Sequence, residues 1–104
     1  MGESEAFMTN INFNNLPAFR TIDPEIDYIT IYEIWDNELH LLIIQLYDED
    51  NQIRRTIGID KQRNTYRRNR MFDDVDIWEP GPMDGFHMDE MIELVRVMDE
   101  WCDV

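Results

Sequence analysis

Between Glu38 and Tyr47 the chain reads ELHLLIIQLY, and both period-two faces of this stretch are apolar. Leu39, Leu41, Ile43 and Tyr47 share one face; Leu42, Ile44 and Leu46 share the other. A strand apolar on both sides expects cover on both sides, so the pattern predicts the central strand of a small sheet. The preceding residues 26–35, IDYITIYEIW, are β-branched and aromatic, as strands are. Asp36-Asn37 joins the two as a tight hairpin, with Asn tolerating the positive φ of a type I′ turn. After a turn at Asp48-Glu49-Asp50-Asn51, residues 52–59 alternate, with Ile53, Ile57 and Ile59 on one side and Arg54, Thr56 and Gly58 on the other. Arg55 falls on the apolar side, which predicts an edge strand whose guanidinium reaches water. Residues 26–60 therefore read as a three-stranded antiparallel meander.

Residues 61–70 contain one aromatic, Tyr66, and no aliphatic residue, predicting a basic loop or two solvated ribbons around a turn. Residues 71–78, MFDDVDIW, give a possible fourth strand, closed by Glu79-Pro80-Gly81-Pro82. From 86 to 102, Met88, Met91, Ile92, Val95, Met98 and Cys102 recur at helical spacing, and Asp89, Glu93, Arg96, Glu100 and Asp103 form the opposite stripe. Asp89 and Glu90 in the first turn complement the helix dipole. The first 25 residues lack periodicity. Residues 11–25 read as an extended, irregular arm or a short turn of helix laid over the core, with Pro17 and Pro24 discouraging a long helix. Residues 1–7 resemble a vector-derived leader that precedes a second methionine, Met8. The expected fold is a single α+β domain: a three- to four-stranded antiparallel meander packed against one C-terminal helix.

Charge changes this picture. The 104 residues hold 23 acids against nine Lys and Arg, a formal net charge of −14. Such a chain repels nucleic acid and anionic membrane and expects a basic partner. The charge is also polarised. Arg54, Arg55, Lys61, Arg63, Arg67, Arg68 and Arg70 lie within residues 54–70, opposed there by Asp60 alone. With Tyr66 they form a candidate basic patch, whose alternative role is to fold back on the protein's own acids or on those of a second copy. The candidate acidic surface comprises Asp48, Glu49, Asp50, Asp73, Asp74, Asp76, Glu79, Asp89, Glu93 and Glu100.

Candidate chemistry is sparse. The sequence from Asp48 to Gln52 lacks the position-six glycine and terminal Glu of a calcium loop. His40, His87 and Cys102 are too scattered for a zinc site, and a lone cysteine excludes an internal disulfide and suits a reducing cytoplasm. No phosphate loop, activated nucleophile, cofactor motif or apolar span is present, so the expectation is a non-enzymatic, cytoplasmic protein without metal or cofactor.

In size and charge the chain resembles the small acidic DNA-mimic and anti-defence proteins of bacteriophages. The resemblance implies an inhibitor whose carboxylates occupy a basic site on a nucleic-acid-handling host protein. The competing expectations are a nucleic-acid-binding regulator that uses residues 54–70, and a plain protein-interaction adaptor. Self-association is compatible with any of them.

Overall fold

The computed structural model describes residues 16–36, 38–72, 75–81 and 83–102. A short helix α1 (Pro17–Ile22) precedes five strands: β1 (Tyr28–Asp36), β2 (Leu39–Tyr47), β3 (Ile53–Asp60), β4 (Thr65–Phe72) and β5 (Val75–Pro80). A 3-10 turn (Met83–Gly85) then leads into helix α2 (Met88–Cys102). The strands form one antiparallel sheet in the order β1-β2-β3-β4-β5, a pure meander. The class is α+β, with one or two more strands than the sequence pattern predicted. The expected turn residue Asn37 lies outside the described residues.

β2 is covered on both sides, as its double apolar face requires. Leu42, Ile44 and Leu46 join Ile29, Ile31, Ile57 and Ile59 in a core closed by Phe19 of α1 and by Leu94, Val97, Met98 and Trp101 of α2. On the opposite face Leu41 and Ile43 are fully buried. There Trp78 of β5 reaches back over β3, where a Cβ on Gly58 would stand 3.4 Å from its ring. A Cβ at residue 58 would sit in van der Waals contact with that ring and with Tyr66, leaving no room for a longer side chain without movement.

Two expectations are corrected. The segment 61–70 is a loop only as far as Asn64; from Thr65 it becomes β4, held between β3 and β5. Backbone pairing on both sides outweighs its low apolar content. The buried Thr65 hydroxyl also donates to the Gly81 carbonyl, while the Gly81 N–H donates to the Thr65 carbonyl at 2.8 Å. It follows that β3 is the middle strand rather than an edge, and that residues 71–78 contribute the start of a fifth strand rather than a fourth.

The helix is rotated from its expected facing. Met98 and Cys102 meet the core and Asp89, Arg96 and Glu100 face solvent as expected, but the rest of the stripe changes. Its buried stripe is Glu90, Glu93, Leu94, Val97, Met98 and Trp101, whereas Met88, Ile92 and Val95 are 67%, 55% and 44% exposed. Glu93, assigned by the sequence pattern to the solvent stripe, is only 5% exposed. No helix among the described residues is long and apolar enough to cross a membrane.

This arrangement fixes a ranking of substitutions. Leu94→Ala should cost about 2–5 kcal/mol through lost contacts and a residual cavity. Ile92→Glu should stay within about 0.5 kcal/mol in thermal melts of dilute protein. Ile43→Asp, which puts an unpaired charge at a fully buried position paired with Gly58, should abolish cooperative melting.

Candidate functional site

The cations of residues 54–70 do not converge on one patch. Alternation along β3 and β4 sends neighbours to opposite faces, and nearly every described cation of the segment is met by a group of its own chain. Arg54 Nε lies 2.6 Å from Asp23 Oδ2 and its Nη2 3.3 Å from Glu25. Arg55, on the helix side of β3, lies 2.7 Å from Glu90 and its guanidinium stacks 4.6 Å from the Phe86 ring centroid. Lys61 donates to the Trp101 carbonyl at 2.8 Å and sits 4.1 Å above the indole. Arg63 pairs with Asp99 at 2.6 Å, and Arg67 faces Glu79 at 3.6 Å. Arg68 is likewise engaged, and the Arg70 side chain lies outside the described residues. The basic segment neutralises the fold from within.

The two buried acids of α2 follow the same logic. Glu90 is the third residue of the helix and accepts the His87 N–H at 3.0 Å, one half of a capping box, while it binds Arg55. Glu93 accepts the Ala18 N–H at 2.9 Å. Pro17 brings no N–H to the start of α1, and Leu16 offers no side-chain cap, so Glu93 serves as the N-terminal cap of a helix 75 residues away.

Five acidic side chains gather at the end of the sheet where β1 begins and β2 ends. Glu25, Asp27, Asp48, Glu49 and Asp50, with Pro24 and Ile26, line an open cleft of about 320 Å³. Arg20 and Arg54 are the described cations that reach this end. The hydrogen bond from Arg54 holds the Asp23 carboxyl below its ordinary value, assisted by the Glu25 N–H, against a smaller opposing effect of burial. Asp89 and Glu100 are exposed on α2. Asp73 and Asp74 lie outside the described residues, as does the side chain of Asp76, while Glu79 is engaged by Arg67. Of the predicted acidic set, then, the structure brings Asp48, Glu49 and Asp50 together and withdraws Glu93. Among the described residues no group of three or more His, Cys, Asp or Glu is placed to hold a metal ion.

The turn carrying three of these acids has a local cause. Asp48 accepts the N–H groups of Asp50 and Gln52, both at 2.9 Å, and Asn51 adopts a left-handed φ of 63°. Asp60 repeats the pattern at the next hairpin, accepting the N–H groups of Gln62 and Asn64 at 2.9 Å, with Arg63 at φ 69°. Each is a type I turn followed by a left-handed residue, the common three-residue hairpin loop. The two aspartates differ in burial, since Asp60 also accepts from the Asn64 amide at 3.0 Å and the Tyr66 hydroxyl at 2.8 Å and is almost fully buried. Burial pushes the Asp60 carboxyl up, but these donors together outweigh it and hold the group below its ordinary value. The same hydrogen bond raises the Tyr66 hydroxyl.

Sequence reasoning missed an aromatic cluster at the other end of the sheet. Trp35, largely exposed, stacks on His40 with ring centroids 3.8 Å apart, and His40 meets the edge of Trp101 at 5.1 Å. The Trp101 indole donates to Glu33 at 2.7 Å, and His40 Nε2 stands 3.5 Å from the same carboxylate without a hydrogen bond. The Trp35–His40 pairing follows from the hairpin register; the part played by Trp101 is set by a contact 68 residues apart. With known proteins the chain shows no match to any family model, curated protein or solved structure.

The twin loops allow an internal comparison. Asp60→Ala should cost about 2–3 kcal/mol at neutral pH, and Asp48→Ala about 1 kcal/mol, because only the first removes an almost fully buried acceptor that serves four part-buried hydrogen bonds. Asp60 is depressed in the folded state, so its stabilisation is complete above the ordinary carboxylate pKa of about 3.9. It is lost as pH falls through the lower folded value. The gap between the two variants in urea melts should therefore narrow in acid.

Proposed function

We propose that this protein is a small acidic, non-enzymatic binding protein that occupies a basic site on a nucleic-acid-handling protein, as an inhibitor or nucleic-acid mimic of the kind bacteriophages make. One observation carries the reading. The cations Arg54, Arg55, Lys61, Arg63 and Arg67 are engaged by groups of the same chain, while Glu25, Asp27, Asp48, Glu49 and Asp50 share one open end. Carboxylates held on short, hydrogen-bonded turns present negative charge at fixed spacing, as phosphates do. Complementary charge steers such a surface to a Lys- and Arg-lined groove and makes the complex salt-sensitive. The same field opposes direct contact with DNA or RNA, since acids within a Debye length, about 8 Å at physiological salt, act on any phosphate near the basic segment.

The test is capture of partners from host lysate at low and high salt, followed by elution with duplex DNA. The expected partners are nucleic-acid-binding proteins that DNA and salt release. Capture should fail when Asp48, Glu49 and Asp50 become Asn, Gln and Asn, and persist when Arg67 and Arg68 become Ala. A tight, salt-sensitive gel shift of nucleic acid by the unmodified protein, abolished by Arg67→Ala with Arg68→Ala, would instead establish the basic segment as the working surface.

A further inference from the structure

Helix α2 presents a second apolar stripe to solvent, directly opposite the one it buries. Met88, Ile92 and Val95 follow at i, i+4 and i+7 and are each more than 40% exposed. Along one edge of this stripe run Asp89, Arg96 and Glu100, all exposed. Arg96 differs from the cations of the sheet. Among the described side chains it is the Arg with neither an ion pair nor a hydrogen bond, whereas those of Arg20, Arg54, Arg55, Lys61, Arg63, Arg67 and Arg68 each meet a group of their own chain. In a protein with 23 acids, a cation left unused beside an apolar stripe points to a contact beyond the chain.

The pattern is self-complementary. When two copies of a helix pack antiparallel about a two-fold axis, the same edge of each meets across the interface. An axis midway between Ile92 and Glu93 sets Ile92 near its own copy and places Arg96 beside Asp89 of the other copy, twice. We infer that the outer face of α2 is an isologous dimer interface, with Met88, Ile92 and Val95 as its apolar centre and Arg96 paired to Asp89 of the second copy on each side. A partner of high positive charge fits this face less well, because its centre is apolar and its flank contains Arg96. Three apolar side chains from each copy form a small centre beside the roughly 1,200 Å² of a stable complex, so the dimer is expected to be weak and concentration-dependent.

The inference is independent of the acidic-end reading, and salt separates the two. Binding of a basic partner weakens as salt rises. Association of two copies, each with a net charge of −14, strengthens as their mutual repulsion is screened. Sedimentation equilibrium of the full chain over a wide concentration range, at low and at moderate salt, reads this directly. We expect a monomer–dimer equilibrium favoured by salt, weakened ~10-fold or more by Ile92→Glu with an unchanged circular dichroism melt in dilute solution. Arg96→Glu should also weaken it, and Asp89→Arg added to Arg96→Glu should restore it, because the swap recreates the pair only in the antiparallel arrangement. A monomer at every concentration, a dimer indifferent to Ile92→Glu, or a failure of the double swap to rescue would overturn the inference.

Discussion

Charge repulsion is the constraint under which this fold is built. A chain with 23 acids and nine Lys and Arg cannot bring its carboxylates together at random, and the positions of its cations follow from that. Arg54 ties the β3 strand to the linker before β1, Arg55 ties β3 to the start of α2, and Arg63 ties the β3–β4 loop to the end of α2. Each of these pairs spans more than 30 residues of sequence. Singly, exposed pairs of this type are worth little. Their collective effect is to place attraction where the elements meet and to leave repulsion at the periphery, at the turns and on the outer face of α2.

The strands were legible because their signal is local. Period-two alternation and double apolar faces locate β1, β2 and β3 without knowledge of anything distant, and the run Asp48-Glu49-Asp50-Asn51 announces its turn. The sequence leaves β4 open between a loop and a solvated ribbon after a turn, because Thr65-Tyr66-Arg67-Arg68 carries no apolar pattern. What makes it a strand is its pair of neighbours, which single-segment reading does not see. The helix was located correctly but turned the wrong way. Met88, Ile92 and Val95 score as core by type, and Glu90 and Glu93 score as surface. The groups that reverse this, the Arg55 guanidinium and the Ala18 N–H, lie 35 and 75 residues away.

The same division holds for the candidate site. Asp48, Glu49 and Asp50 were identifiable from their clustering in one turn, and the structure adds Glu25 and Asp27 beside them through the pairing of Tyr28 with Tyr47. The basic segment looked like a patch because its cations are contiguous in sequence. Contiguity on a regular strand means alternation in space, so Arg67 and Arg68 point to opposite faces. Arg54, the extra residue of a bulge opposite Leu46 and Tyr47, and Arg55 are drawn to different acids.

An amphipathic helix with apolar side chains on two faces has two ways to lie, and hydrophobicity alone chooses weakly between them. Here Leu94, Val97, Met98 and Trp101 compete with Met88, Ile92 and Val95. Burying an ion pair seldom adds net stability relative to an apolar pair of the same shape. The contribution of Glu90 and Glu93 is therefore to be sought in the alternative they exclude. Turning α2 over would expose both carboxylates but leave the Arg55 guanidinium under the helix without its anion and the Ala18 N–H without an acceptor. Removing one partner of a fully buried charged pair typically costs about 3–5 kcal/mol. The Arg55 side chain is 35% exposed, so solvent screening makes the penalty here smaller. That penalty falls on the wrong orientation only. Two buried acids in a protein already overcharged with them are explained in this way: they set which face of α2 the sheet receives and, by the same act, which face is left for a second molecule.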